Sequence, residues 1–370
     1  MTRLIRAIVD TAALRNNLNV LRTAAGGAKV MAVVKANAYG HGVVPVAAAL
    51  ADADSFAVAR LEEGLTLRAA GISAPIVLLE GVPDAEQLAE AVHHGFELVI
   101  HDASQLAMLE SSRVALRAPL WLKIDTGMNR LGFRPDTFAD TWRRLRALRS
   151  QPLEIRALTH LARADERQSP MTREQVARFH AALASAGLSA SAALSDAQRI
   201  VTSIGNSAGT LGWPEARSDW VRPGLSLYGV SPFPGEPAAK FGLRPVMTFE
   251  TTVIAVRRVL QGEVVGYGGT WSAACDSTVA ILAAGYGDGL LRSLRQGTPV
   301  LLRGARAALV GRVSMDMVAV DVSNVPGVAV GDKAILWGAD LPVEEIAEFG
   351  GTIAYELLCG VRQRVPIELR

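Results

Sequence analysis

MAVVKANAYGHG, residues 31–42, runs from an apolar strand-like segment through Lys35 into a glycine-bearing loop. A strand apolar on both faces belongs inside a parallel sheet, where helices cover each face. A lysine at its C-terminal end stands where the active sites of α/β folds collect. Burial lowers an amine's pKa, and a neutral amine can attack a carbonyl. Only five lysines, Lys29, Lys35, Lys123, Lys240 and Lys333, stand among 38 basic residues, so arginine carries the surface charge. A lysine in an apolar strand is therefore a candidate for chemistry rather than for solubility.

Working outward, short apolar or β-branched runs recur at residues 30–35, 56–59, 76–79, 98–100, 120–124, 155–160, 200–204 and 221–228. Segments with helical periodicity separate them, such as 85–93 behind Pro83 and Asp84, and 173–185 behind Thr172. Eight strand–helix units in this length predict an α/β fold, a (β/α)8 TIM-like barrel, rather than an open doubly wound sheet. At residues 231–237 the sequence SPFPGEP breaks the alternation. Beyond it, runs at 247–256, 278–283, 299–302, 318–322 and 333–337 are separated by glycine-rich turns. The reading is a barrel domain over residues 1–232 followed by a mostly β C-terminal domain over 233–370, with barrel-like closure expected from the strand spacing.

Composition narrows the function. Half the chain is apolar and the net charge is +2, which disfavours nucleic acid or an anionic membrane as partner. The one basic cluster, WRRLRALR at 142–149, has helical spacing with leucines opposite its arginines and reads as a solvated helix face. Cys275 and Cys359 form no CxxC pair, no metal-ligand spacing surrounds His93 or His94, and no apolar run approaches membrane-spanning length. The N-terminus lacks the form of a signal peptide, so a cytoplasmic protein is expected.

Barrel enzymes often bind phosphate with the loops after strands seven and eight. After the seventh run comes IGNSAG, with Asn206, Ser207 and Gly209; the eighth holds VRPGLSLYG, where Gly224 and Leu225 can offer backbone N–H groups to an anion. Together with Lys35 these features describe a cofactor that bears both an aldehyde and a phosphate, pyridoxal 5′-phosphate (PLP). The glycines of AGYGDG at 284–289 do not make a dinucleotide site, since no strand–helix unit surrounds them.

At this point the sequence resembles the alanine racemase family of fold-type III PLP enzymes over nearly its whole length. The motifs are VVKANAYGHG (33–42), KIDTGMNRLGF (123–133), NSAG (206–209), RPGLSLYG (222–229), VGYGGTW (265–271), AAGYGDG (283–289), GRVSMDM (311–317) and YELLC (355–359). The resemblance implies that Lys35 carries PLP covalently and that Tyr39, Asn206, Ser207, Gly224, Leu225 and Tyr355 hold it. Racemisation moves a proton from one face of Cα to the other, so two bases serve better than one. By resemblance these are Lys35 for the D-enantiomer and Tyr267 for the L-enantiomer. A phenol of pKa ~10 needs polar or cationic support to act as a base near neutrality, and the family places residues matching His160 and Arg222 behind Tyr267. Arg222 is further implied to face the pyridine nitrogen and leave it unprotonated, Arg130 to hold the substrate carboxylate, and Lys123 to be carbamylated.

The resemblance also implies a homodimer with Tyr267, Tyr286 and Met315 contributed to the partner's site, and alanine as substrate. A racemase of broader specificity, acting on serine or others, and a PLP-binding homeostasis protein without racemase chemistry stand as alternatives. The second would not need Tyr267. An amino-acid decarboxylase on the same plan would not be expected to share NSAG and GYGGTW.

Overall fold

A computed structural model describes residues 3–190 and 198–370. The first strand, β1 (Ile5–Val9), is followed by helix Thr11–Ala25, which starts because the Asp10 carboxylate accepts the Ala12 and Ala13 N–H groups at 2.8 and 2.9 Å and stops at Gly26 in the left-handed region (φ 64°). Eight parallel strands then alternate with helical segments: β2 (Lys29–Val33), β3 (Ser55–Val58), β4 (Ile76–Leu78), β5 (Glu97–Ile100), β6 (Leu120–Lys123), β7 (Ile155–Leu158), β8 (Thr202–Ser203) and β9 (Trp220–Val221). They close in sequence order, β9 pairing back onto β2. Nearly every side chain on these strands is buried, as a sheet covered on both faces requires. Met31 and Trp121 share one face of the barrel sheet and Phe56 lies on the other, all three buried, so removal of either aromatic to alanine would cost roughly 3–5 kcal/mol.

Several strands end earlier than the hydrophobic runs suggest. The run at 30–35 is strand only to Val33, the run at 155–160 only to Leu158, and the run at 221–228 only to Val221. In the last case Pro223 removes a ladder donor and residues Leu225–Tyr228 wind into a 3₁₀ turn. The apolar pattern beyond each strand end packs loops rather than sheet.

The second unit is an eight-stranded sheet built from β10 (Met247–Val259), β13 (Ser277–Leu282), β14 (Pro299–Leu302), β15 (Ala305–Val310), β16 (Val318–Asp321), β17 (Lys333–Trp337), β1 and β18 (Ile367–Leu369), with a small hairpin, β11 (Val264–Val265) and β12 (Trp271–Ser272), beside it. The long strand β10 pairs with both β17 and β13, bulging between Val253 and Ala255, so six strands form a ring. The first strand of the chain lies in this sheet, antiparallel to β10 and parallel to β18. Residues 5–9 thus belong structurally to the second unit and not to the barrel in which the division at 232 would put them. Their alternation, IRAIV, marks a strand but does not identify its distant partners.

Candidate active site

The site begins where β2 stops. Val34 leaves the extended region, and Ala36, Asn37, Ala38 and Tyr39 follow at φ 53°, 53°, 54° and 51°, one turn of left-handed helix made without glycine. Each L-residue held so costs about 1–2 kcal/mol, so the turn is maintained by what grips it. The Ala36 N–H donates to Glu63 Oε1 at 2.6 Å, while the other oxygen of that carboxylate accepts from Ala59 N–H at 2.8 Å and Arg60 N–H at 3.3 Å. The Asn37 side chain accepts from Val43 N–H at 2.9 Å. His41, fully buried, sets Nδ1 against the carbonyls of Ala38 and Tyr39 at 3.0 and 2.8 Å. Lys35 therefore does not end a strand, as its run suggests; half-buried, it opens this turn at the barrel mouth.

The turn delivers Tyr39 to the loops after β8 and β9. A Cβ on Gly224 would come within 2.4 Å of Tyr39 Oη, so glycine is what lets the hydroxyl approach. Ser207 Oγ accepts from Gly224 N–H at 3.0 Å and Ser226 N–H at 3.3 Å, and the Tyr355 ring lies 5.7 Å from that of Tyr39. The structure thus brings together Tyr39, Ser207, Gly224, Leu225 and Tyr355. Asn206 plays a supporting part, its side chain capping helix Ser207–Gly212 by accepting from Gly209 N–H at 2.9 Å. Helix Ala354–Gly360 of the second unit reaches the same mouth, where a Cβ on Gly40 would meet the Leu358 carbonyl oxygen at 2.1 Å.

A cationic floor lies below. Arg222, 5% exposed, donates to Ser203 Oγ at 2.5 Å, to the Thr159 carbonyl, and to that of Ile204 at 3.4 Å. No carboxylate pairs with it among the described residues, and burial lowers its pKa to about 10. Lys123, 8% exposed at the end of β6, is drawn down to about 8 by burial and then by the neighbouring charges of Arg222, Arg130 and Lys35, against the pull of Asp125. His160 is held well below its usual value, first by burial and then by the same cations. The Asp125 carboxylate accepts the N–H groups of Gly127, Asn129 and Arg130 at 2.9–3.1 Å and so shapes the loop that presents Arg130 to solvent. Lys35, Lys123, Arg130, His160 and Arg222 are accordingly one cluster, built to receive negative charge.

The remaining expected site residues stand elsewhere. Tyr267 caps the β11–β12 hairpin on a short turn, 69% exposed. Tyr286 packs against the core of the second unit, and its N–H donates to Ser314 O at 3.0 Å; the next N–H, of Gly287, donates to the carbonyl of the exposed Met315 at 2.8 Å. Arg364 ties these loops together, donating to Asp288 at 2.7 Å and to Asp316 at 2.8 Å.

Glu63 and His41 escaped the reading of the sequence because both act on backbone groups. Glu63 carried one available signal, its position three residues after Arg60 at a helix start. His41 lies within the GHG that follows the turn.

Comparison with known proteins joins the two units. The family model described as "Alanine racemase, N-terminal domain" matches residues 9–232, and "Alanine racemase, C-terminal domain" matches 246–369. A curated protein of Shewanella woodyi named alanine racemase is 46% identical over 362 residues, covering 98% of each chain. One of the same name from Azoarcus sp. is 48% identical over 360 residues, covering 97% of each. Among solved structures, the biosynthetic alanine racemase of Pseudomonas aeruginosa superposes with a TM-score of 0.93 at 42% identity over the whole of both chains. That of Acinetobacter baumannii gives 0.90 at 37%, again over the whole of both.

Proposed function

The chain belongs to the alanine racemase family, an isomerase family, and on that premise we propose that it interconverts L- and D-alanine with PLP by a two-base mechanism. The observation that carries the reading is the pairing of a lysine-bearing turn with an anion cradle on one barrel mouth, beside a buried arginine that no carboxylate among the described residues neutralises. The donor set fits the cofactor. Tyr39, Ser207, Gly224, Leu225 and Tyr355 offer hydroxyl and backbone N–H groups of the kind a phosphate takes, and the absence of a Cβ at Gly224 lets the Tyr39 hydroxyl join them. Lys35, four residues before Tyr39, is our candidate to hold the aldehyde carbon.

When bound, PLP withdraws electrons from the substrate's Cα and so loosens its proton. Lys35 Nζ takes or returns that proton on one face, serving the D-enantiomer, and Tyr267 Oη does so on the other. His160, neutral because it is buried among cations, supports Tyr267 together with Arg222. Arg222 would face the pyridine nitrogen of the bound cofactor and, as an arginine, would keep its proton, so that the ring would be only a modest electron sink. Arg130 holds the substrate carboxylate as a planar fork, aided by Met315 and Tyr286. Lys123, with its pKa near 8, offers the neutral amine that carbamylation requires; the product would be an anion able to orient Arg130.

We further propose a head-to-tail homodimer in which Tyr267, Tyr286 and Met315 complete the partner's barrel mouth, with residues 1–232 and 233–370 as the two domains apart from β1. No helix among the described residues is long and apolar enough to cross a membrane, and a cytoplasmic enzyme is our reading. The test is incubation with L-alanine in D2O. Formation of Cα-deuterated D-alanine, with borohydride fixing a pyridoxyl group on Lys35, is expected. A protein that binds PLP and leaves alanine unchanged would overturn the racemase reading in favour of a PLP-binding homeostasis protein.

A further inference from the structure

The strained turn after Lys35 poses a question that the reaction does not answer, namely what holds four non-glycine residues left-handed at the centre of the site. Its free ends are gripped from outside by two side chains. At the front, Glu63 bridges two segments. One oxygen takes the Ala36 N–H at 2.6 Å, and the other takes the Ala59 and Arg60 N–H groups at 2.8 and 3.3 Å, where β3 has just ended. A helix cap alone would use only the second oxygen. At the back, His41 holds the last two carbonyls of the turn, at 3.0 and 2.8 Å.

His41 is fixed in turn. Its ring lies tilted 4.6 Å from that of Tyr228, which stacks 4.7 Å from Tyr39 and donates to the Val33 carbonyl at 3.1 Å. Burial holds its pKa near 4, so the ring is neutral at physiological pH. Facing two carbonyls, Nδ1 must carry the proton, and the buried Nε2 meets no hydrogen-bond partner among the described residues. A buried, unsatisfied nitrogen is unfavourable, and the ring is retained for what its other nitrogen holds.

We infer that Glu63 and His41 are positioning residues that clamp the left-handed turn at its two ends, fixing the spacing between the Lys35 amine and the Tyr39 hydroxyl. Lys35 lies one residue before the front grip and Tyr39 carries one of the carbonyls of the back grip, so slackening either end changes where one group sits relative to the other. The inference rests on the proposed roles of Lys35 and Tyr39 toward the two ends of PLP, but its first test does not.

That test is amide hydrogen exchange of peptides spanning residues 31–44 in the cofactor-free protein. Glu63→Gln retains one acceptor oxygen for two sets of N–H groups, and His41→Phe keeps a ring against Tyr228 while losing the Nδ1 donor. In both, the amides of Ala36, Ala38, Gly40 and His41 should exchange about tenfold faster or more, while barrel strands β4–β6 remain as protected as in the wild type. In the loaded enzyme, PLP should leave faster and kcat should fall roughly 10- to 100-fold with KM little changed, the signature of a misplaced group. If Glu63→Gln speeds exchange only in helix Leu61–Ala69 and leaves 36–41 and PLP release as in the wild type, Glu63 is a helix cap and the inference falls. Should His41→Phe fail to fold, Glu63→Gln decides alone. A wild type that never loads PLP on Lys35 would defeat the proposed function while the exchange result still judged the clamp.

Discussion

The barrel mouth and the hairpin of the second unit treat their polar residues in opposite ways. At the mouth, Arg222 and Lys123 are 5% and 8% exposed and surrounded by groups of their own chain. On the hairpin, Tyr267 is 69% exposed, and nearby Met315 is 54% exposed. Burying a cation without a carboxylate is unfavourable unless something negative arrives, and displaying an aromatic outward is unfavourable unless something covers it. One region is incomplete without a negative ligand and the other without a surface to cover it. The difference teaches that the proposed site has a half that is built and a half that is offered, and that the two need not meet within one chain.

The sharpest way to break that comparison is on the built half. Lys35→Ala should abolish racemisation, by roughly 10⁴-fold or more, since it removes a base together with the covalent anchor; chiral chromatography of alanine after incubation reads it. On the offered half, Tyr267→Phe deletes one hydroxyl from an exposed ring, so the melting temperature should hold while turnover of L-alanine falls by about 10²–10³. Mixing the two inactive variants under subunit exchange tests whether the halves meet between chains: random pairing gives about a quarter of wild-type activity, half the dimers being mixed with one intact site each. Demonstrated exchange without recovery would mean that both bases act within one chain.

A smaller effect probes the buried charge itself. Unmodified Lys123 titrates near 8 in the folded chain against 10.5 ordinarily. Between those values the unfolded chain holds the proton and the folded chain does not, so stability rises with pH across that window, by about 3 kcal/mol, and the penalty is fully present below pH ~8. Urea midpoints measured across the window should show this slope, and Lys123→Met should flatten it. Bicarbonate should flatten it too if the amine becomes a carbamate; a slope indifferent to both would refute the assignment. The smallest effect belongs to the cradle, where Ser207→Ala frees the Gly224 and Ser226 N–H groups and should speed PLP release about tenfold, followed by the loss of absorbance from the bound cofactor.

How much of this the sequence disclosed depended on whether a residue acts through its type or through its backbone. Strands β14 and β17 fall at the residues expected, because apolar runs bounded by turn residues leave little choice. The helix Ala85–His93 likewise matches, Asp84 accepting from Gln87 N–H at its start. Strand β15, ARAALV, was not anticipated, since alanine and arginine give no strand signal, and it is fixed by its neighbours β14 and β16. The residues proposed to react at the mouth stand in recognisable motifs. The left-handed path from Lys35 to Tyr39 did not, because alanine and asparagine give no reason to expect four positive φ angles in succession; the grips of Glu63 and His41 supply that reason only once the chain is folded.

Strand β1 adds a matter of timing. A ribosome delivers Ile5–Val9 first and its partners, β10 and β18, only after the entire barrel has been made. The strand therefore waits without sheet neighbours while the barrel is made, and its pairing with β18 comes later than its pairing with β10. A gene fragment begun at residue 233 would encode β10 and β18 without the strand that lies between them, leaving two raw sheet edges. Strand β1 and the two strands that flank it are consequently one structural element, interrupted in sequence by the whole of the barrel.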